Sequence, residues 1–334
     1  VRTDVITSAG AWRDALAQVG AHDFVHTFDF HAASEANGDG QPCAFAVRDE
    51  DGRTSAFWPL LKRSIGDTGS FDYGSVYGYA GPLFRETPAK ETAEALIQAM
   101  AGTGAVSVFS RLHPLFECPE MEGKTAVGEV VSIEVTPGDE PPREYRSNHR
   151  RNIARLRRDG FHTSVAADED AFRRFQPIYE AAMDELGAAP HYYFREEFYE
   201  QIRQATDYDS FIIFAQSEGE AAAAVLFTVT GDITQYFLSA TAPAFKQVAP
   251  SKLIIADAHS RAIDKGARHL VLGGGYGGQR DSLFNFKLGF SKAVRTQYIF
   301  RRVLDRGRYA QLCTDAGIAA DQTSFFPAYR SRRG

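Results

Sequence analysis

The chain is poor in the residues that staple, span or hydrolyse. Its 334 residues include only three cysteines, Cys43, Cys118 and Cys313, set far apart and without a CxxC spacing. That excludes a disulfide framework and a zinc knuckle, and it predicts reduced thiols in a cytoplasmic protein. No apolar run approaches the 18 or so residues a membrane span needs, so no membrane insertion is expected. The first thirty residues carry Arg2, Asp4, Arg13, Asp23 and Asp29, which leaves no room for the apolar stretch of a signal peptide. Positive charge is in deficit as well. The net charge of −6 has the wrong sign for a protein that neutralises many phosphates over its whole surface, so any nucleic-acid contact must be local. Catalytic signatures are missing in the same way. The nine histidines are scattered, with no HExxH, GxSxG or GxxxxGK[ST] pattern, which excludes the common metalloprotease, serine-hydrolase and P-loop chemistries. No metal site is expected.

The length exceeds what one hydrophobic core usually serves, and two domains of about 150 residues are predicted. The segment TPGDEPP, residues 136–142, has three prolines and little apolar content, and it marks the junction. The first domain is therefore placed at 1–142 with about 305–334, and the second at 143–304. In the first, helical spacing over 11–19 and a short second helix precede a hairpin around Asp51-Gly52, a Gly/Pro interruption at YGYAGPL (77–83), a helix over 88–100 and a strand over 106–109. In the second, helices over 143–158, 171–186 and 195–205 precede a hairpin over 210–232. A strand at TQYFLSA, a helix over 251–265 ended by Gly266, and strands at ARHLVLGG and TQYIFRRVL follow. The order of elements repeats, which predicts an α+β protein of two similar units with mixed or antiparallel sheets flanked by helices.

Two segments concentrate the chemistry. REYRSNHRRNIARLRR brings Arg143, Arg146, Arg150, Arg151, Arg155, Arg157 and Arg158 onto about four and a half helical turns. Guanidinium groups bind phosphate in bidentate fashion, so this strip suits a nucleic-acid backbone or a nucleotide diphosphate; its bland alternative is a solvated helix face. GGGYGGQRDSLFNFKLGF, residues 273–290, has five glycines in its first six positions and follows a strand. Such glycines let a ligand or another backbone approach closely. Lys287, between Phe286 and Leu288, is placed where burial would make its charge directional, able to stabilise an oxyanion or hold a phosphate; its alternative is a salt-bridged lysine at a strand turn. His191, beside Tyr192 and Tyr193, is the histidine most worth testing.

YGYAGPL, RRNIARLRRDG, YFLSAT (236–241) and the FNFKLGF ending together resemble the Fem-type aminoacyl transferases, over most of the chain. The resemblance implies two tandem GNAT-like domains with a C-terminal tail returning to the first. It implies transfer of an aminoacyl group from aminoacyl-tRNA to an amine of a peptidyl acceptor, forming a peptide bond without a bound cofactor. Residue by residue, it implies catalytic roles for Lys287 and Phe286. It implies substrate contacts at Arg195 and Tyr199, four apart on one helix face, at Tyr236, at Tyr79 in the YGYAGPL loop, and at Arg150 and Asn152. Arg151, Arg155 and Arg158 would meet the tRNA acceptor end. Three departures stand out: no long helical hairpin is present to grip tRNA, Arg85 stands after the Gly-Pro pair where an acidic residue is expected with Glu86 one place late, and no lysine in HAASEANGDG lines a phosphate site. A peptidyl natural product, as in antibiotic biosynthesis, therefore fits as an acceptor alongside a peptidoglycan precursor. The alternative enzyme class is an acyl-CoA-dependent GNAT N-acyltransferase. Ala249 and Pro250 in FKQVAPSKLIIA stand where glycine amides would bind the pyrophosphate of acetyl-CoA, and proline has no amide to offer.

Overall fold

The computed structural model describes residues 2–136, 138, 144–318, 323 and 325–331. The chain forms two compact units, Val1–Val127 with Gln297–Gly334, and Gly128–Thr296. The proline-rich junction at 136–142 falls largely outside the described residues, as does Arg143, and the change of unit lies inside a strand.

The first unit opens with β1 (Arg2–Ile6) and α1 (Ala9–Val19), then α2 (Phe28–Asn37). Trp12, Ala15, Leu16 and Val19 of α1 are all buried, the spacing of one helical face. The Trp12 indole donates to the His26 carbonyl at 2.9 Å, which satisfies the one polar atom such a buried ring carries. The Asp51-Gly52 hairpin forms as predicted, joining β2 (Gln41–Arg48) to β3 (Thr54–Ser64) in antiparallel register with Phe45 opposite Trp58. β4 (Phe71–Gly74), β5 (Leu83–Phe84), α3 (Lys90–Gly102) and β6 (Ser107–Arg111) follow, and β7 (Lys124–Glu134) carries the chain into the second unit. Pairing in the first unit is antiparallel except where β4 meets β6 and at the isolated parallel bridge between Ala80 and Leu112.

The second unit begins with the arginine helix, α4 (Ser147–Arg158), then β8 (His162–Ala166), α5 (Glu169–Leu186) and α6 (Glu196–Gln204). α4 starts four residues after the predicted position because Arg146 is held in extended backbone, its amide donating to the distant Gly289 carbonyl. β9 (Asp209–Ser217) and β10 (Glu220–Thr230) form the second hairpin, through Glu218 and Gly219, both at positive φ. β11 (Ile233–Thr241), α7 (Ser251–Asp264), β12 (His269–Gly273) and a short α8 (Ser282–Lys287) complete it. The sheet runs β7-β12-β11-β10-β9-β8, mixed because β11 and β12 are parallel. α4 and α7 supply Ile153, Leu156, Leu253, Ile254 and Ile255 to a core with Val225, Phe227 and Leu270. Each such buried aliphatic side chain contributes about 1.5–3 kcal/mol.

β13 (Val294–Val303) returns the chain to the first unit, where it pairs antiparallel with β6, and α9 (Arg306–Asp315) follows. The C-terminal tail is anchored there on Asp72, a fully buried carboxylate that accepts from Arg63 Nε (2.9 Å), Arg330 Nε (2.7 Å) and the Tyr329 hydroxyl (2.9 Å). Charged donors of this kind are among the stronger hydrogen bonds available to a buried carboxylate.

Candidate active site

β11 and β12 are paired over only three positions, Ile233 with His269, Thr234 with Leu270 and Gln235 with Val271. β11 then runs on to Thr241 while β12 ends at Gly273, so the two strands cease to bond to each other beside Tyr236. Lys287, the last residue of α8, places its ammonium at this opening. Its Nζ donates to the Gly274 carbonyl at 2.7 Å and lies 6.0 Å from the centroid of the Tyr236 ring, the outer limit of a cation–π contact. Only 7% of Lys287 is exposed. Burial lowers its pKa to about 8, opposed by the negative charge of Asp281. The partner is a carbonyl and not a carboxylate, so the salt-bridged alternative does not hold. An ammonium has three N–H donors, and the Gly274 bond uses one. Burial likewise raises the Tyr236 phenol to about 12, with a bond from Ser239 acting the other way.

The glycine loop is shaped by Asp281. This residue caps α8, its Oδ1 accepting from the Phe284 amide at 2.8 Å while Oδ2 accepts from the Tyr276 amide at 3.0 Å. Burial would raise its pKa, but these backbone donors hold it below the ordinary value. Side chains are excluded for steric reasons. A Cβ on Gly275 would overlap the Gln279 carbonyl and the Asp281 carboxylate, and one on Gly128 would overlap the backbone of Gly278. Gly277 and Gly278 take φ of 58° and 79°, the left-handed region that glycine adopts without strain.

The other end of α8 is clamped by α4. His149 Nε2 donates to the Phe286 carbonyl at 3.0 Å, and Arg146 donates through its amide to Gly289 O (2.8 Å) and through Nη1 to Asn285 O (3.4 Å). The Asn285 and Phe286 carbonyls lie in the last turn of α8, where carbonyls lack partners four residues on within the helix, and Phe286 O also accepts from the Gly289 amide at 3.0 Å. Burial lowers the His149 pKa, opposed by the bond to the Phe286 carbonyl and reinforced by the charges of Lys252 and Arg146. Phe286 is half-buried, its ring against His149 and Phe290 at centroid distances of 5.6 and 5.5 Å, so its side chain braces the clamp.

α4 divides its residues cleanly. His149, Ile153 and Leu156 are buried, and Arg150, Arg151, Arg155, Arg157 and Arg158 are exposed. Among the described residues no carboxylate pairs with Arg151, Arg155, Arg157 or Arg158. Asn152 lies between the two faces. Its Nδ2 donates to the Val248 carbonyl at 3.3 Å, while its buried Oδ1 has no partner among the described residues.

The remaining predicted residues fall elsewhere. Arg195 does not share a face with Tyr199: α6 begins at Glu196, and Arg195 precedes it in extended backbone (φ −71°, ψ 160°) with its side chain exposed. Tyr199 is buried against Phe175, Phe194 and Phe198, and its hydroxyl has no partner among the described residues. Tyr79 is half-buried in the first unit, in the loop after β4. Asp281 and His149 were not singled out from sequence as site residues. Signals for both exist: Asp281 stands three residues before Phe284, as an N-cap does, and His149 lies on the spacing of Ile153 and Leu156.

Residues 143–287 match the acetyltransferase (GNAT) domain family. Over 93% of its length the chain superposes on 99% of the crystal structure of FemX, with a TM-score of 0.70 at 12% identity. L-PGS from Bacillus licheniformis gives a TM-score of 0.56 at 13% identity, covering 90% of this chain and 93% of that one. A tandem GNAT protein from the clavulanic acid biosynthesis pathway gives 0.51 at 11% identity, covering 91% and 99%. No curated protein sequence is significantly similar. The fold of the chain is thus Fem-like, and the match to the GNAT domain lies within the second of its two units. No helix among the described residues is long and apolar enough to cross a membrane.

Proposed function

We propose that this protein transfers an aminoacyl group from aminoacyl-tRNA to the amine of a peptidyl acceptor. The observation that carries the reading is the buried Lys287 ammonium, fixed by Gly274 at the strand opening with two N–H donors unused among the described residues. In the reaction the acceptor nitrogen attacks the ester carbonyl carbon, a C–N bond forms, and the oxyanion that develops receives those donors. Collapse then breaks the C–O bond, the ribose oxygen leaves with a proton, and the nitrogen gives up the proton it cannot keep. An ester is already activated, so positioning and oxyanion stabilisation supply most of what the reaction needs, and no bound cofactor enters. The acceptor fits a peptidyl natural product or a cell-wall precursor in the cytoplasm, with Tyr236, Tyr199 and Asn152 as candidate contacts, and the exposed face of α4 meets the tRNA acceptor end.

The N-terminus of α7 weighs against acyl-CoA. Pro250 has no amide, and the amides of Ala249, Lys252 and Leu253 are donated to the carbonyls of Lys246, Ala249 and Pro250. Few backbone donors therefore remain there for a pyrophosphate. The test is incubation with a panel of aminoacyl-tRNAs and peptidyl amines, with and without ribonuclease, alongside acetyl-CoA. Ribonuclease-sensitive transfer that Lys287→Ala abolishes supports the reading; ribonuclease-resistant acylation from the CoA thioester replaces it with N-acyl transfer.

A further inference from the structure

We infer that Tyr276, backed by Tyr192 and His191, is a stacking platform for the terminal nucleobase of the RNA donor. The inference rests on the tRNA-dependent reading above and adds a base-binding subsite to it.

Tyr276 is 65% exposed, an unusual setting for an aromatic side chain that has no partner to meet. Its ring is not isolated. It stacks on Tyr192 with centroids 6.4 Å apart and planes 30° apart, and Tyr192 in turn lies 4.3 Å from the His191 ring at 37°. The three rings come from two separate 3-10 turns, Pro190–Tyr192 and Tyr276–Gly278, and form a row whose outer member is Tyr276. The Tyr276 backbone is fixed from both sides: its amide donates to Asp281 Oδ2 and its carbonyl accepts from the Gln279 amide at 3.1 Å. The exposed ring is thus carried on an ordered turn.

Position and charge select the occupant. Tyr276 is two residues from Gly274, so their Cα atoms are at most roughly 7 Å apart, and Gly274 is the residue that holds Lys287. In an aminoacyl-RNA only the terminal ribose separates the ester from the last base, so a base stacked on Tyr276 would leave its ester within reach of the Lys287 ammonium. From the same α8 that Asp281 caps, the bonds of Arg146 and His149 lead to α4, whose arginines from Arg150 to Arg158 extend over about 12 Å. An exposed aromatic ring and a basic helix face, linked here through α8, are the two elements by which proteins hold single-stranded nucleic acid, and stacking on one ring is tolerant of base identity.

The experiment uses two short RNA stems carrying the same 3′ aminoacyl ester, one ending in adenosine and one in an abasic ribose. Wild type, Tyr276→Ala and Tyr276→Phe are compared on each, with thermal unfolding as a check that the exposed substitution leaves the fold intact. The expected result is a KM for the adenosine-ended RNA raised roughly 5- to 100-fold in Tyr276→Ala, with Tyr276→Phe near wild type. Wild type and Tyr276→Ala should be equal on the abasic-ended RNA. Equal activity of Tyr276→Ala and wild type on the adenosine-ended RNA, or an equal loss on both RNAs, overturns the platform while leaving tRNA dependence standing. No transfer by wild type from either RNA, with turnover of acetyl-CoA instead, overturns both together.

Discussion

Lys287 Nζ donates to the carbonyl of Gly274 at 2.7 Å, across the glycine loop that Asp281 holds in shape. The bond aims a buried positive charge at the place where β11 and β12 separate, and the cost of keeping it there can be measured.

Replacing Lys287 by methionine should stabilise the protein at pH 7 by up to about 3 kcal/mol while lowering turnover roughly 100-fold or more. The folded-state pKa of about 8 lies below the ordinary value of 10.5. Between those values the unfolded chain binds more protons, so wild-type stability rises with pH across that window and the penalty is complete below pH 8. Urea unfolding at pH 7 and pH 10 checks this, and the advantage of Lys287→Met should shrink at the higher pH. A destabilised variant at pH 7 would show that the Gly274 bond outweighs the burial of charge.

The same pKa predicts how activity depends on pH. Oxyanion stabilisation requires the protonated ammonium, so the rate should level or fall above about pH 8, although acceptor amines become more nucleophilic as pH rises. A pH profile from 6.5 to 9.5 for wild type and for the residual activity of Lys287→Ala separates the two effects. The alkaline limb should vanish in the variant.

Gly289 is packed against the imidazole of His149, and a Cβ there would overlap ring atoms of that side chain. Gly289→Ala should destabilise the protein by about 1–3 kcal/mol through overpacking, and turnover should fall with it because α8 carries Lys287. Adding His149→Ala should recover part of the stability, though not the bond to Phe286 O. A double-mutant cycle by urea unfolding measures the coupling, and strictly additive losses would sink the proposed clamp.

Arg151→Gln, Arg155→Gln and Arg158→Gln combined should raise KM for aminoacyl-tRNA and flatten its salt dependence. Each lost phosphate contact removes about 0.7–0.9 from the slope of log affinity against log salt concentration. Because the three side chains are exposed, thermal stability should change little. An unchanged salt slope would return this face of α4 to the role of a solvated surface.

Much of this architecture could be read from local pattern. Asp51-Gly52 and the Glu218-Gly219 turn announce hairpins because each carries a glycine, which takes positive φ in a tight turn without strain. The run of arginines interrupted at Ile153 and Leu156 shows one buried and one exposed face of α4. Lys287 stood out through its aromatic neighbours and its likeness to the Fem-type ending. Other features were illegible for stated physical reasons. α8 has six residues, too few to display a helical period, so its existence rests on the Asp281 cap and on the clamp from α4. β7 was not anticipated, since its outer half is only partly buried and lacks the apolar alternation of a strand.

Sequence by itself therefore determined the repeated α+β order, the basic strip, the glycine loop and the residue types available for chemistry, because each is a property of neighbours along the chain. Tertiary structure alone decided that Lys287 meets a carbonyl 13 residues away and that His149 meets Phe286 across 137 residues. It also decided that Arg195 and Tyr199 part into solvent and core, and that Tyr276 and Tyr192 form one stack. Such pairings are set by strand register and helix packing, which bring distant backbone atoms within hydrogen-bonding range and leave no periodic trace in the sequence.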